Sequence, residues 1–167
     1  MSEDIGRGAA RGEGAPQAER PEPGGGPPRE KEELKLGPGV ADAIRRHGRS
    51  TYPDECCGAL IGTDEMVQRA SPLPNTTEEG ARRRFLVRPA DYKQAEADAK
   101  RFKGELLGFY HSHPDAPSRP SQYDLDHAWP HFWYVIVSVE QGEPKLMTVW
   151  RLADDRSRFR EASLKNE

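Results

Sequence analysis

The amino-acid sequence predicts an α/β fold in which helices flank a mixed central β-sheet. Helical and strand patterns alternate along the chain, which is typical of a layered α/β or α+β sandwich. Residues 133–139 are apolar on both faces, as expected for a central strand. Two helical segments, residues 38–48 and 89–104, begin at a proline and end at a glycine, an arrangement that helix ends favour.

The first half of the pattern contains one helix and three strands. Residues 38–48 place apolar side chains at helical spacing, which predicts a short amphipathic helix. Residues 56–62 form an apolar run with two glycines, typical of a buried strand, and residues 64–70 continue as its hairpin partner. A polar loop then leads to a predicted strand over residues 82–87, whose three arginines indicate a solvated edge.

The second half contains two helices and four strands. Residues 89–104 predict the longest helix, because apolar side chains recur along one face. A strand over residues 106–113 follows, and a loop with three prolines separates it from a helix over residues 121–128. The remaining strands are predicted over residues 133–139, 145–152 and 156–162.

Composition divides the chain into two unlike parts. The 167 residues carry a net charge of −3, and only 34% are hydrophobic. Residues 1–33 hold five of the 25 basic and eight of the 28 acidic residues and no aromatic residue, so we expect a disordered Gly/Pro/Glu-rich tail. The tail accounts for the whole net charge. Residues 34–167 are electrically neutral and about 38% hydrophobic, which predicts a single globular domain.

The same composition excludes several classes of protein. No apolar stretch approaches the roughly 18–20 residues of a membrane span, and the N-terminus lacks the apolar region of a secretory signal. We therefore expect a cytoplasmic protein with neither a membrane nor a nucleic-acid partner. Cys56 and Cys57 are adjacent, so they are interpreted as small buried side chains in a reducing compartment. The sequence assigns no oligomeric state.

A pair of histidines carries the strongest chemical signal. His111 and His113 lie two residues apart at the end of a predicted strand, so both imidazoles point to the same side. Two such imidazoles supply half of a tetrahedral zinc site. By contrast, His47 is interpreted as part of the packing of the first helix, and His127 and His131 as surface or supporting residues.

A carboxylate completes this candidate site. Asp124 lies one turn into the helix that starts at Ser121, on the side that can face the end of the strand. Asp115 and Asp126 are rivals, but Asp115 follows the strand too closely and Asp126 points to the opposite side of the helix. Two histidines and one carboxylate leave a fourth position for water, as in catalytic zinc sites. Ser121 and Asp124 also match a simple helix capping box.

A proton acceptor that is not a metal ligand is the other requirement of such a site. Glu55 is the best candidate, because it immediately precedes the buried strand over residues 56–62, which can run beside the two histidines. A carboxylate there could take a proton from water and pass it to a leaving amine.

Together these residues resemble the signature of the JAMM (MPN-plus) metalloprotease family, which is an upstream Glu followed by H-x-H-P, six residues, Ser, two residues and Asp. Here Glu55 precedes HSHP at residues 111–114, and six residues, DAPSRP, separate HSHP from Ser121 and then Asp124. The segment YPDECCGALIG is similar to the start of the prokaryotic branch. The resemblance covers roughly residues 36–160.

The resemblance implies a cytidine-deaminase-like JAMM/MPN sandwich with Zn²⁺ at one end of the sheet. It implies that His111, His113 and Asp124 bind zinc, that Glu55 is the general base, and that Ser121 stabilises the oxyanion. It further implies hydrolysis of the peptide or isopeptide bond after the C-terminal Gly-Gly of a ubiquitin-like sulfur carrier protein, in one known case with release of cysteine.

Three alternatives compete with this interpretation. RadC-like proteins share the motif spacing and are linked to DNA, but they usually read HNHPSG where this chain has HSHPDA. A non-catalytic MPN-fold binding protein typically lacks metal ligands that are all retained here. A zinc deaminase requires H-x-E and P-C-x-x-C, and the sequence contains neither.

Overall fold

A seven-stranded sheet with three accompanying helices makes up the part of the chain that the computed structural model describes, residues 31–75 and 87–167. The strands are β1 (Glu33–Leu36), β2 (Cys57–Thr63), β3 (Met66–Leu73), β4 (Glu105–Pro114), β5 (Trp133–Glu140), β6 (Glu143–Leu152) and β7 (Phe159–Asn166). The helices are α1 (Val40–Thr51), α2 (Pro89–Arg101) and α3 (Gln122–His127).

The sheet is mixed, as the sequence predicts, and it closes into a barrel. The strand order is β1-β3-β2-β4-β5-β6-β7, and β1 pairs in parallel with both β3 and β7. Strands β4 and β5 form the third parallel pair, whereas the other neighbours are antiparallel. Strand β5 lies between β4 and β6, which explains why both of its faces are apolar.

Strand β1 is the element that the sequence analysis missed among the described residues. Leu34 and Leu36 are fully buried while Glu33 is exposed, so the short segment alternates as a strand does. The predicted tail includes Glu33, which the structure places in β1. Residues 31 and 32 of that predicted tail are described and belong to no helix or strand, and residues 1–30 lie outside the described residues.

Most other predicted elements coincide with observed ones, with shifts at their ends. Helix α1 continues to Thr51, and β3 runs through Leu73 into the predicted loop. The last strand begins at Phe159 instead of residue 156. Of the strand predicted over residues 82–87, only Val87 is described, and it is a buried residue outside any strand.

Two apolar clusters lie on the two faces of the sheet, because successive strand residues alternate in direction. One cluster contains Tyr110 of β4 together with Ile44 of α1. The other contains Phe109 of β4 together with Ala95 and Ala99 of α2, which confirms the inward stripe predicted for that helix. The alternation within β4 therefore fixes the direction of every side chain along it.

Close packing of β4 against β5 begins at Gly108. A Cβ atom at this position would collide with the backbone carbonyl of Trp133 on β5.

Both cysteines are buried and free, as predicted. No helix in the described parts of the chain is long and apolar enough to cross a membrane.

Candidate metal centre and active-site cleft

The two histidines of the H-x-H-P sequence lie at the end of β4, where β2 and β5 flank the strand on either side. His111 and His113 are both buried, and their Nε2 atoms lie 3.1 Å apart. This distance confirms that the alternation of the strand directs both imidazoles to one side. Because β4 is held between two neighbours, the backbone leaves the histidines little freedom.

The carboxylate of Asp124 joins this pair from helix α3. Its Oδ2 atom lies 3.3 Å from His111 Nε2 and 3.2 Å from His113 Nε2. The same oxygen accepts a hydrogen bond of 2.8 Å from the Ser121 backbone N–H, and Ser121 Oγ accepts one of 3.0 Å from the Asp124 N–H. The capping box and the three-residue cluster therefore involve the same carboxylate, and the cap directs it toward the histidines.

The rival carboxylates make other contacts. Asp115 accepts hydrogen bonds from the Tyr52 hydroxyl at 2.6 Å and from the Gln141 backbone N–H at 2.8 Å. Asp126 accepts one from the side chain of Gln122 on the outer surface of α3. Among the described residues, only His111, His113 and Asp124 bring metal-ligating atoms together as a group.

The remaining histidines also lie where the sequence predicts them. His47 of α1 forms a hydrogen bond of 2.8 Å through Nδ1 with the Tyr110 hydroxyl, inside the packing of the first helix. His127 donates from Nδ1 to the Tyr123 carbonyl at 2.8 Å and stacks on the Tyr123 ring. His131 is exposed. None of the three belongs to the cluster.

The protonation of the cluster suits a cation at its centre. His113 Nδ1 lies 2.7 Å from the Pro117 carbonyl oxygen, which can only accept, so Nδ1 carries the hydrogen. In the neutral imidazole, Nε2 then presents a lone pair to His111 and Asp124. Two imidazole nitrogens and a carboxylate oxygen converge within 3.3 Å of one another. This donor set could hold a metal ion.

Burial and charge shift the pKa values of the three side chains in different directions. Burial lowers the pKa of His111. Burial also opposes protonation of His113, but the hydrogen bond and charge of Asp124 outweigh it and raise that pKa. Burial disfavours the Asp124 carboxylate, yet the nearby imidazoles and the Ser121 N–H hold its pKa well below its usual range. The ionised carboxylate therefore attracts a cation, whether a proton on His113 or a metal ion.

Glu55 lies beside the cluster of His111, His113 and Asp124. This position follows from the predicted pairing of the strand after Glu55 with the strand that carries the histidines. Strand β2 pairs antiparallel with β4, with Cys57 opposite His111, so the residue two positions earlier reaches His113. Burial raises the pKa of Glu55 to about 8, the His113 charge lowers it and the Asp124 charge raises it. Its buried Oε2 atom has no hydrogen-bond partner among the described residues. Such a carboxyl group can exchange a proton near neutral pH.

An open cleft of about 680 Å³ gives solvent access to these groups. Its described lining residues are Tyr52, Pro53, Glu55, His113, Pro114, Asp115, Ala116, Pro117, Arg119 and Ser121. The cleft therefore contains the candidate base, one candidate metal ligand and the candidate oxyanion residue.

The loop between β4 and α3 forms one wall of the cleft and is held by contacts that no sequence pattern indicates. The Ala116 carbonyl accepts a hydrogen bond of 2.8 Å from the Ser138 hydroxyl. The Ser118 carbonyl accepts hydrogen bonds from the Thr148 hydroxyl and from Trp150 Nε1 on β6. Because β5 and β6 supply these donors, the loop conformation depends on the complete sheet.

Comparison with known proteins now identifies the family. Residues 38–153 match the family described as prokaryotic homologs of the JAB domain. The chain belongs to this family. Membership confirms the predicted JAMM fold and the prediction of an enzyme of the peptidase class.

Several relatives are similar over part or most of their length. A desampylase of Haloferax volcanii is 31% identical over 112 residues, which is 63% of this chain and 80% of that protein. A probable TtuB-protein conjugate cleaving protease of Thermus thermophilus is 32% identical over 102 residues, or 61% of this chain and 68% of that protein. Tail tip assembly protein K of Escherichia phage N15 is 37% identical over 83 residues, half of this chain but only 31% of that protein.

A solved structure supports the same fold. The solution structure of a protein from Salinibacter ruber is 40% identical in sequence and superposes with a TM-score of 0.64. The match covers 80% of this chain and 92% of that one. The β-sheet and helices described above are therefore those of a known family fold.

Proposed function

We propose that the chain is a zinc-dependent metallopeptidase that hydrolyses the peptide or isopeptide bond after the C-terminal Gly-Gly of a ubiquitin-like sulfur carrier protein. The observation that carries the proposal is the convergence of two imidazoles and a carboxylate beside Glu55, whose buried Oε2 atom has no hydrogen-bond partner in the described parts of the chain. The relatives named desampylase and TtuB-protein conjugate cleaving protease support protein conjugates as the substrate class.

In this proposal His111, His113 and Asp124 hold the zinc ion. A tetrahedral ion with bonds of about 2.0–2.1 Å requires donor atoms roughly 3.3 Å apart. The three donor atoms lie 3.1–3.3 Å apart, and this spacing supports zinc as the bound ion. The Pro117 carbonyl keeps His113 in the tautomer that leaves Nε2 free to bind, as outer hydrogen bonds do in known zinc sites.

Glu55 moves the protons of the reaction. Zinc, when bound, supplies Lewis acidity and lowers the pKa of water to about 7. The Glu55 carboxylate accepts a proton from the attacking water and donates it to the nitrogen of the leaving amine. One C–O bond forms, one C–N bond breaks, and the products are the carrier carboxylate and a free amine.

In this proposal Ser121 stabilises the oxyanion in addition to capping helix α3. Its Oγ atom accepts a hydrogen bond from the Asp124 N–H through a lone pair, so its own hydroxyl hydrogen is free for another acceptor. The residue lines the cleft that contains Glu55 and His113. A donor already fixed in position costs little reorganisation when negative charge develops on the substrate oxygen.

We expect Ser121→Gly to separate these two roles. Glycine is nearly as good a helix cap as serine, so the free energy of unfolding should fall by only a few tenths of a kcal/mol. Loss of the hydroxyl should lower kcat about 100- to 1000-fold. Thermal unfolding and steady-state kinetics of the zinc-loaded protein measure the two effects. Unchanged kcat would remove Ser121 from the reaction.

A panel of extended carriers tests the proposed function itself. Gly-Gly-terminated sulfur carrier proteins, each carrying either one additional residue or an isopeptide-linked lysine, are incubated with the zinc-loaded chain. We expect cleavage directly after Gly-Gly, detected as an intact-mass change, and no cleavage of carriers in which the second glycine is replaced by valine. Binding without cleavage would instead favour the non-catalytic MPN-fold protein. Tight, sequence-specific DNA binding would favour the RadC-like alternative.

A further inference from the structure

Arg119 is the one lysine or arginine among the described residues that line the active-site cleft. It is exposed and forms no ion pair with any described residue. Neither acidic side chain that lines the cleft forms an ion pair with it: Asp115 accepts hydrogen bonds from Tyr52 and Gln141, and the side chain of Glu55 is buried. The cleft therefore offers a substrate a guanidinium group that no described carboxylate pairs with.

The backbone on both sides of Arg119 is held rigidly. Ser118 is buried, and its carbonyl accepts hydrogen bonds from the side chains of Thr148 and Trp150. Pro120 follows directly, and Ser121 is tied to helix α3 by the capping box. A side chain presented from such a loop loses less conformational entropy on binding than one from a flexible loop.

We propose that Arg119 binds the free α-carboxylate of the residue that leaves after hydrolysis, so that the chain prefers substrates in which a single amino acid follows Gly-Gly. This inference rests on the proposed function and specifies its substrate class. The planar guanidinium matches a carboxylate in a bidentate fork, which gives geometric selectivity as well as charge attraction. A lysine of a target protein, joined through its side-chain nitrogen, has its α-carboxyl group in a peptide bond and offers no such anion.

Arg119 is a specificity residue in this proposal and takes no part in bond making. Water adds its oxygen to the glycine carbonyl carbon, the C–N bond breaks, and the proton carried by Glu55 goes to the nitrogen of the amino acid. The products are the carrier ending in Gly-Gly carboxylate and a free amino acid, whose carboxylate remains paired with the guanidinium until release.

Two synthetic peptides test the proposal by cleavage. Both end in Gly-Gly-Ala, chosen because alanine has no thiol to bind zinc, and one has a free carboxylate whereas the other has a C-terminal amide. We expect the zinc-loaded full chain to favour the free carboxylate by about tenfold to a hundredfold in kcat/KM. Arg119→Gln should abolish this preference while leaving cleavage of the amide unchanged. Arg119→Lys should retain part of it.

Arg46→Gln on the exposed surface of α1 is the matched control, since it removes the same charge away from the cleft. It should keep the full preference. Equal losses for both peptides in Arg119→Gln, or no preference in the unchanged protein, would overturn the proposal.

Binding to a chain that also carries Glu55→Gln gives a readout that does not depend on catalysis. By calorimetry, the free-carboxylate peptide should bind about tenfold or more tightly than the amide, and Arg119→Gln should equalise the two. Carrier cleavage without this preference would refute the role of Arg119 and leave the proposed function intact. The preference without any cleavage would refute the proposed function and leave the carboxylate site. Equal binding of both peptides would refute the site.

Discussion

Glu55→Gln should lower kcat for carrier cleavage about 100- to 10,000-fold, the usual contribution of a positioned general acid–base group. The amide has nearly the same shape as the carboxyl group but cannot accept a proton from water. Because Glu55 is not one of the three clustered ligands, the variant should still bind one zinc ion per chain. Steady-state kinetics and metal analysis of the same preparation measure both quantities.

The Glu55→Gln variant should also fold normally, so that a loss of kcat reports on catalysis and not on unfolding. Burial raises the pKa of Glu55 to about 8, so the metal-free protein holds a mostly neutral carboxyl group at neutral pH. A neutral amide in its place should change the free energy of unfolding little. Glu161→Gln, an exposed substitution on β7, is the matched control and should retain full activity. Full activity of Glu55→Gln would disprove its role as the base.

Asp124→Asn should abolish both zinc binding and cleavage. The asparagine oxygen can still accept the Ser121 N–H, so the helix cap survives, but the anionic ligand between the two imidazoles is lost. Zinc at 1000 times its Kd stabilises a folded protein by about 4 kcal/mol. The unchanged chain should therefore show a large zinc-dependent rise in Tm, and Asp124→Asn should show little or none.

Asp126→Asn tests whether zinc binding depends on the position of the carboxylate in the fold and not only on an acidic residue in helix α3. Asp126 lies on the same short helix, but among the described residues its carboxylate contacts only the side chain of Gln122. This control should keep both the zinc-dependent rise in Tm and the activity. An equal loss of zinc binding in the two variants would contradict the assignment of Asp124, as would a normal zinc response in Asp124→Asn.

The candidate metal centre was predictable because its geometry follows from local periodicity. Alternation along a strand directs His111 and His113 to one side whatever the rest of the fold does. The capping box between Ser121 and Asp124 likewise depends only on residues three apart. The placement of Glu55 required one further assumption, that its strand pairs with β4, and the observed register supports it.

Strand β1 shows where such local reasoning fails. Leu34 and Leu36 are fully buried and alternate with exposed Glu33 and half-buried Lys35, but four residues next to a charged, glycine- and proline-rich segment are too few for a reliable strand pattern. The strand is stable because it pairs with both β3 and β7, and those partners are distant in sequence. Its existence is therefore a property of the closed sheet.

The family, the order of the central elements and the residues that converge as a candidate zinc site could all be predicted from the sequence alone. Each of these depends on spacing within a short segment. The three-dimensional fold was needed to show how deeply Glu55 is buried, which tautomer of His113 the Pro117 carbonyl selects, and that Arg119 lines the cleft without an ion-pair partner among the described residues. The first and third features depend on contacts between segments far apart in the chain. The second depends on the conformation of the loop after β4, and local periodicity predicts none of the three.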